Sequence, residues 1–160
     1  MSITRFNALS AVEAERLLLE CCRAPRWARE VAAGRPYASA AALHAAAEAS
    51  LTDADVADGL TGHPRIGERS DSAQSRREQS GVGGASAEVL AALAEGNRAY
   101  EEKFGHVYLV CASGKGADEL LAILRGRLGN DPATERRVMR AELAAINRIR
   151  LDRLVLEAAA

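Results

Sequence analysis

The sequence predicts an all-α fold: a single compact domain of about eight helices over residues 1–160, with one short extended segment near residues 106–111. Of the 160 residues, 48% are apolar, most of them Ala, Leu and Val, and only 4% are aromatic. That composition favours close-packed helices over a β-sandwich. Helix-capping residues also recur directly before stretches in which apolar residues repeat at helical spacing.

Three helices are predicted in the first fifty residues. Ser10 is a suitable N-cap for a helix through "AVEAERLLLECC". A second, short helix surrounds Trp27 and ends at Gly34, because glycine is a common residue at helix C-termini. Ser39 is placed to cap a third helix through "AAALHAAAEAS".

The middle of the chain alternates short helices with breaks. Thr52 and Asp55 have the spacing of a capping box for a short helix, and Gly59 and Gly62 then end helical structure. The next stretch, "SDSAQSRREQSG", is polar and predicts a short helix that ends near Gly81.

The second half predicts three helices and one extended segment. Ser86 begins a long helix through Lys103, and Gly105 ends it. The stretch "HVYLVCA" has no visible partner strand, so we predict extended chain buried between helices. An amphipathic helix follows over "GADELLAILRGRLG", and Asn130 or Asp131 caps a last long helix that carries apolar residues from Val138 to Leu154.

Composition narrows the classes of function. Basic and acidic residues number 21 and 22, so nothing favours electrostatic attraction to nucleic acid. No apolar run approaches the roughly 20 residues that span a bilayer, and the first residues lack a signal-peptide core. We therefore expect a cytoplasmic protein with no membrane partner, and the abundance of Ala and Arg suggests a bacterial origin. The usual metal-ligand spacings and Walker-type phosphate loops are absent from the sequence, so we predict no metal site.

The cysteines agree with the expectation of a cytoplasmic protein. The chain has three cysteines, and two of them, Cys21 and Cys22, are adjacent. This pattern does not make a disulfide framework. We predict reduced thiols that serve packing.

One polar cluster is the turn "GHPRIGE", which contains one of only three histidines. Pro64 restricts the backbone of His63 to extended conformations. A stiff, non-helical segment is a suitable support for a catalytic imidazole. The alternative is a turn histidine exposed to solvent.

A second cluster follows in the short polar helix. Ser75 lies three and four positions before Glu78 and Gln79, so the three side chains share one helix face. A carboxylate there can hold a histidine in one tautomer, and an amide can both donate to and accept from a planar ring. An ordinary solvated helix is the alternative.

Two further regions can contribute. Asn97, Tyr100 and Phe104 precede the extended segment, where backbone groups are available to a ligand, although core packing explains them equally well. His106 is a second possible acid–base group or a surface residue. Arg150, late in the last helix, can bind a carboxylate, with Arg148 and Arg153 as competitors for that role.

Together and in this order, these motifs resemble the 2-oxo-4-hydroxy-4-carboxy-5-ureidoimidazoline (OHCU) decarboxylase family. The matching stretches are "FNAL" (6–9), "CCRAPRWA" (21–28), "RPY" (35–37), "HPRIGE" (63–68), "SRREQSG" (75–81), "NRAYEEKFG" (97–105), "VCASGK" (110–115) and the terminal "RLGN…E…E…I…RL". One departure is "FGHVYLV", where family members often have a more aromatic run.

The resemblance implies an all-α, cofactor-free, commonly homodimeric enzyme that converts OHCU to (S)-allantoin in urate degradation. It implies that His63 is the catalytic histidine and Glu78 its acidic partner. The residues that it implies for substrate binding are Pro64, Ser75, Gln79, Val107, Tyr108, Leu109 and Arg150. Two alternatives stay open from the residues alone: a hydrolase or isomerase of a related ureido ring, and a non-enzymatic helical interaction module.

Overall fold

The computed structural model describes residues 1–156, which form nine α-helices, one short 3₁₀ helix and no strand. The α-helices are α1 (Ile3–Asn7), α2 (Ala11–Cys21), α3 (Pro25–Ala33), α4 (Ala40–Ala49), α5 (Asp53–Leu60), α6 (Ala73–Glu78), α7 (Ala87–Phe104), α8 (Ala117–Arg127) and α9 (Pro132–Leu154). The 3₁₀ helix is Ser80–Val82. The predicted all-α class is confirmed.

Capping residues fix where most helices begin. The side chains of Ser10, Ser39 and Ser86 each accept a hydrogen bond from a backbone N–H in the first turn of α2, α4 and α7. The predicted capping box of Thr52 and Asp55 forms at the start of α5. The apolar pattern does not predict α1, because five residues are too few to show helical periodicity.

The described residues cluster into two compact units, one of residues 1–62 and 143–156, the other of residues 63–142. In the first unit α2 packs against α3. The Trp27 indole is fully buried, and its Nε1–H donates to the Ala47 carbonyl of α4 at 2.8 Å. That bond satisfies the one polar group of the indole inside an apolar core.

The second unit has its own apolar core, in which α7 packs on α8. Tyr100, Leu93 and Leu120 are fully buried there. The close approach of the two helices depends on Gly96, because a Cβ at this position would lie 2.6 Å from the Leu124 side chain. The expectation of a single domain over residues 1–160 stays a prediction.

The residues that the structure describes contain neither a membrane-spanning helix nor a cluster that could hold a metal. Within residues 1–156, no helix combines the length and the apolar character that crossing a membrane requires. Over the same range, no group of three or more His, Cys, Asp or Glu side chains is arranged to hold a metal ion.

The cysteines are buried free thiols, which confirms their predicted packing role. Burial raises the pKa of Cys21 to about 12 and that of Cys22 to about 11, because the thiolate loses its hydration. Burial also raises the pKa of the Cys111 thiol. At pH 8 all three groups are therefore protonated and weakly nucleophilic.

We accordingly expect an excess of a disulfide reagent such as DTNB to release almost no thionitrobenzoate from the native protein at pH 8. In denaturant the same protein should react fully. Rapid release of a full equivalent without denaturant would contradict the burial of these thiols.

Candidate active site

The turn between α5 and α6 carries His63. Residues 63–65 are neither helix nor strand, as predicted. The ring is half-buried and its Nε2 is shielded from solvent. The alternative of a histidine exposed to solvent therefore does not hold.

The short helix α6 buries the polar side chains that an ordinary surface helix would expose. Ser75 is 2% exposed and Glu78 is 7% exposed. The Ser75 hydroxyl has no hydrogen-bond partner among the residues that the structure describes. A buried hydroxyl without a partner costs about 1–3 kcal/mol, which a ligand atom in reach would recover.

Gln79 connects α6 to the histidine turn. Its Oε1 accepts from the Gly67 N–H at 3.0 Å, and its Nε2 donates to the Arg65 carbonyl at 3.3 Å. Gly67 has φ of +90°, a left-handed conformation that glycine adopts without strain. The amide thereby ties the 75–79 helix to the segment that directly follows His63 and Pro64.

Asn97 of α7 holds the same turn from another side. Its Nδ2 donates to the Ile66 carbonyl at 3.0 Å, and the side chain is only 4% exposed. Three consecutive residues after Pro64 are thus fixed by side-chain amides. The position of the imidazole is set by tertiary hydrogen bonds as well as by the proline.

We expect the Asn97→Leu variant to lose about 1–3 kcal/mol of unfolding free energy, because the Ile66 carbonyl loses its donor inside the protein. Urea unfolding measures the change. Arg98→Ala is the matched control, since Arg98 is the exposed neighbour on α7 and surface substitutions usually stay within about 0.5 kcal/mol. Equal effects in the two variants would contradict the role of the Asn97 amide.

A cavity of about 590 Å³ opens beside the turn. Its lining includes Ser75, Gln79 and Gly67, but neither His63 nor Glu78. Its volume lies within the range of about 300–1,000 Å³ that is common for small-molecule sites. Two of the predicted substrate-binding side chains therefore border open space.

Residues 107–112 form neither helix nor strand, and residues 1–156 contain no strand that could pair with them. Most of the segment is buried, as predicted. The Tyr108 hydroxyl donates to the Leu120 carbonyl at 3.1 Å, so this side chain belongs to the core of its unit. Only the backbone of Tyr108 is therefore left to contact a ligand. The negative charge of Glu78 adds to burial in raising the pKa of Cys111, so the carboxylate lies within electrostatic reach of this segment.

The remaining predicted groups have local partners. Arg150 is 6% exposed, and its Nη1 donates to the Cys21 carbonyl at 3.0 Å within the first unit. Its role toward an anionic ligand stays a prediction. His106 is half-buried beside the rings of Tyr100 and Phe104, and its Nδ1 lies 3.2 Å from the Val107 carbonyl oxygen.

These features define a class of protein: a helical protein in which a buried serine–glutamate helix is tied to a proline-stiffened histidine turn. Comparison with known proteins gives the family. The OHCU decarboxylase family model matches residues 7–152. The chain is 31% identical to the 2-oxo-4-hydroxy-4-carboxy-5-ureidoimidazoline decarboxylase of Amia calva, over 97% of this chain and 95% of that protein. The chain therefore belongs to the OHCU decarboxylase family.

Other relatives agree with this membership. The chain is 32% identical, over 84% of its length, to the uric acid degradation bifunctional protein of Arabidopsis thaliana, of which it spans 45%. A crystal structure of OHCU decarboxylase in the presence of (S)-allantoin superposes with a TM-score of 0.74 at 26% identity, covering 85% of this chain and 94% of that one. The fold is also that of an (S)-allantoin synthase, with a TM-score of 0.74 at 17% identity, over 97% of this chain and 54% of that one.

Proposed function

We propose that this protein decarboxylates OHCU to (S)-allantoin and carbon dioxide, within urate degradation. The observation that carries the proposal is the pair of Gln79 hydrogen bonds that ties the buried Ser75–Glu78 helix to the turn bearing His63. The family membership supports the same reaction, and so does the relative whose crystal structure was determined in the presence of (S)-allantoin.

The reaction needs little beyond positioning and proton transfer. The bond from the ring carbon to the carboxylate breaks, and its electron pair moves toward the neighbouring C=N unit of the ring. The nitrogen of that unit takes up a proton as it receives the pair. The hydroxyl on the decarboxylated carbon then gives up its proton and becomes a carbonyl, while the ureido-bearing carbon takes up a proton on one face. The substrate thus supplies its own electron sink, and the protein supplies orientation and a directed proton.

His63 and Glu78 carry the proton chemistry in this proposal. The imidazole engages the substrate hydroxyl or ring and then controls protonation on one face, since histidine exchanges protons near neutral pH. The Glu78 carboxylate holds the ring in one tautomer. Its burial supports this role, because a buried carboxylate is costly unless a specific interaction needs it.

In this proposal the groups around His63 and Glu78 bind the substrate. The Ser75 hydroxyl gains a partner when substrate binds, and Gln79 keeps a second amide hydrogen for the ligand after bonding Arg65. Pro64 and the backbone of Val107, Tyr108 and Leu109 form walls. In the proposal Arg150 binds the anionic substrate through its guanidinium.

A homodimer and a cytoplasmic, bacterial location are further parts of this proposal. The homodimer is supported by the family resemblance, and light scattering on the purified protein measures it directly. The location and origin follow only from composition. Neither affects the chemistry proposed for one chain.

The decisive test supplies freshly prepared OHCU and follows allantoin by circular dichroism. We expect an excess of the (S) form, produced faster than in buffer. Racemic allantoin at the uncatalysed rate would count against the proposal. It would favour instead a different enzyme of ureido-ring chemistry or an interaction module.

A further inference from the structure

No strand within residues 1–156 pairs with the segment 107–112, so side chains bond its backbone groups in place of a sheet. Arg127 donates through Nη1 to the Leu109 carbonyl at 2.5 Å. Glu142 accepts from the Cys111 N–H at 2.8 Å, and Lys115 donates to the Cys111 carbonyl at 2.8 Å. These bonds fix peptide planes that extended backbone would otherwise leave free to rotate.

Arg127 is itself held by a buried carboxylate. Its Nε lies 2.7 Å from Glu135 Oε1, and its Nη2 also bonds that oxygen. The same carboxylate accepts from the Tyr100 hydroxyl and, at 3.0 Å, from Asn130. Glu135 is fully buried and Arg127 is 6% exposed.

Packing alone does not explain an ion pair in this position. Apolar residues of similar volume often replace a buried pair without loss of stability. The guanidinium offers what an apolar side chain cannot: rigid donors in fixed directions. It also lies over the Tyr108 ring, with 4.9 Å from Cζ to the ring centroid. One group therefore fixes the side chain of Tyr108 and the carbonyl of Leu109.

The orientation of the backbone follows from this contact. The Leu109–Val110 peptide is trans, so the Val110 N–H points away from Arg127. The side chains of Tyr108, Val110 and Ala112 belong to the core of the unit. Leu109 and Cys111 alternate with them along the chain and are buried as well.

We propose that Arg127, oriented by Glu135, is a positioning residue that sets the geometry of the 107–111 wall of the substrate site. This inference rests on the proposed function, in which that wall contacts OHCU. Arg127 does not touch the substrate; it acts through the Leu109 peptide and the Tyr108 ring. Loss of the contact lets the wall shift, and small misplacements in an active site lower turnover by up to about 100-fold.

The test compares two changes in the same network. Arg127→Met combined with Glu135→Gln removes both charges, so no unpaired buried charge remains, but the Leu109 carbonyl loses its donor. Tyr100→Phe removes one partner of Glu135 and keeps the bond from Arg127 to Leu109. The measurements are kcat and KM for OHCU, the enantiomeric excess of allantoin, thermal unfolding, and hydrogen exchange of peptides covering residues 107–112.

We expect the double variant to lose about 10- to 100-fold in kcat, to lower the enantiomeric excess and to exchange faster at residues 107–112. Tyr100→Phe should lower the melting temperature yet keep kcat within about twofold, because Arg127 still donates to the Leu109 carbonyl. Wild-type kcat and stereoselectivity in the double variant would overturn the inference. So would an equal loss of kcat in Tyr100→Phe at a matched loss of stability.

A conservative variant covers the case in which the double variant does not fold. Arg127→Lys keeps the charge beside Glu135 but loses the planar group that serves two partners at once. We expect a folded protein with a smaller, measurable loss of kcat and with faster exchange at residues 107–112, and wild-type values of both would overturn the inference. If the wild-type protein itself makes no allantoin, the proposed function fails, while the exchange measurement still tests the positioning role.

Discussion

We expect His63→Ala to lower kcat for OHCU by about 10²–10⁴-fold, the usual contribution of a positioned general acid–base group. The residual product should approach racemic allantoin, because no group then delivers the proton to one face. Circular dichroism of the product measures both effects at once. Stability should change little, because Gln79 and Asn97 hold the turn through backbone groups that this substitution leaves in place.

His106→Ala is the matched control for this experiment. His106 is also half-buried, and it lies beside the extended segment proposed as a wall of the site. It should keep most of the turnover and the (S) preference. If the two variants exchanged these outcomes, the catalytic role would move to His106. If both retained wild-type turnover, the non-enzymatic alternative would gain support.

The second large effect is expected for Glu78→Gln. The substitution keeps the shape of a side chain that is 7% exposed but removes the charge that we propose orients the imidazole. Loss of an orienting partner of a functional histidine typically costs about 10–100-fold. Turnover should fall by that amount, with the (S) preference retained, because His63 is still present to deliver the proton.

Stability separates this result from a structural role of Glu78. Removing a buried charge relieves a desolvation cost, so we expect the melting temperature to stay within about 4 °C of the wild-type value, or about 1 kcal/mol for a chain of this size. Glu95→Gln on the exposed side of α7 is the matched control and should change neither property. A cooperative loss of folding in Glu78→Gln, without a specific effect on turnover, would assign the carboxylate to structure.

Short stretches of sequence were sufficient to predict the helical framework. Ser10, Ser39 and Ser86 cap helices as predicted, and Gly105 ends α7 in a left-handed conformation. These residues act on backbone groups within four positions of themselves, so short stretches of sequence contain the whole interaction. The same reasoning located the break at His63, because proline and glycine restrict or release the backbone wherever they stand.

Motif resemblance predicts the residues of the site but not how they are held together. Ser75, Glu78 and Gln79 are typical of a solvated helix when considered alone, yet the fold buries Ser75 and Glu78. Nothing in the spacing shows that Gln79 bonds the backbone of Arg65 and Gly67, which lie fourteen and twelve positions earlier. The hydrogen bond from Asn97 to the Ile66 carbonyl joins residues 31 positions apart, and no short stretch of sequence indicates it.

The sequence by itself therefore determined the all-α class, most helix boundaries and the position of the non-helical histidine turn. Only the tertiary structure decided which polar groups are buried and which partners they have, as the ion pair of Arg127 and Glu135 illustrates. The physical reason is the range of each interaction. Helix-capping and helix-breaking residues act on backbone groups a few positions away. Burial and long-range hydrogen bonds, in contrast, exist only after distant segments have packed.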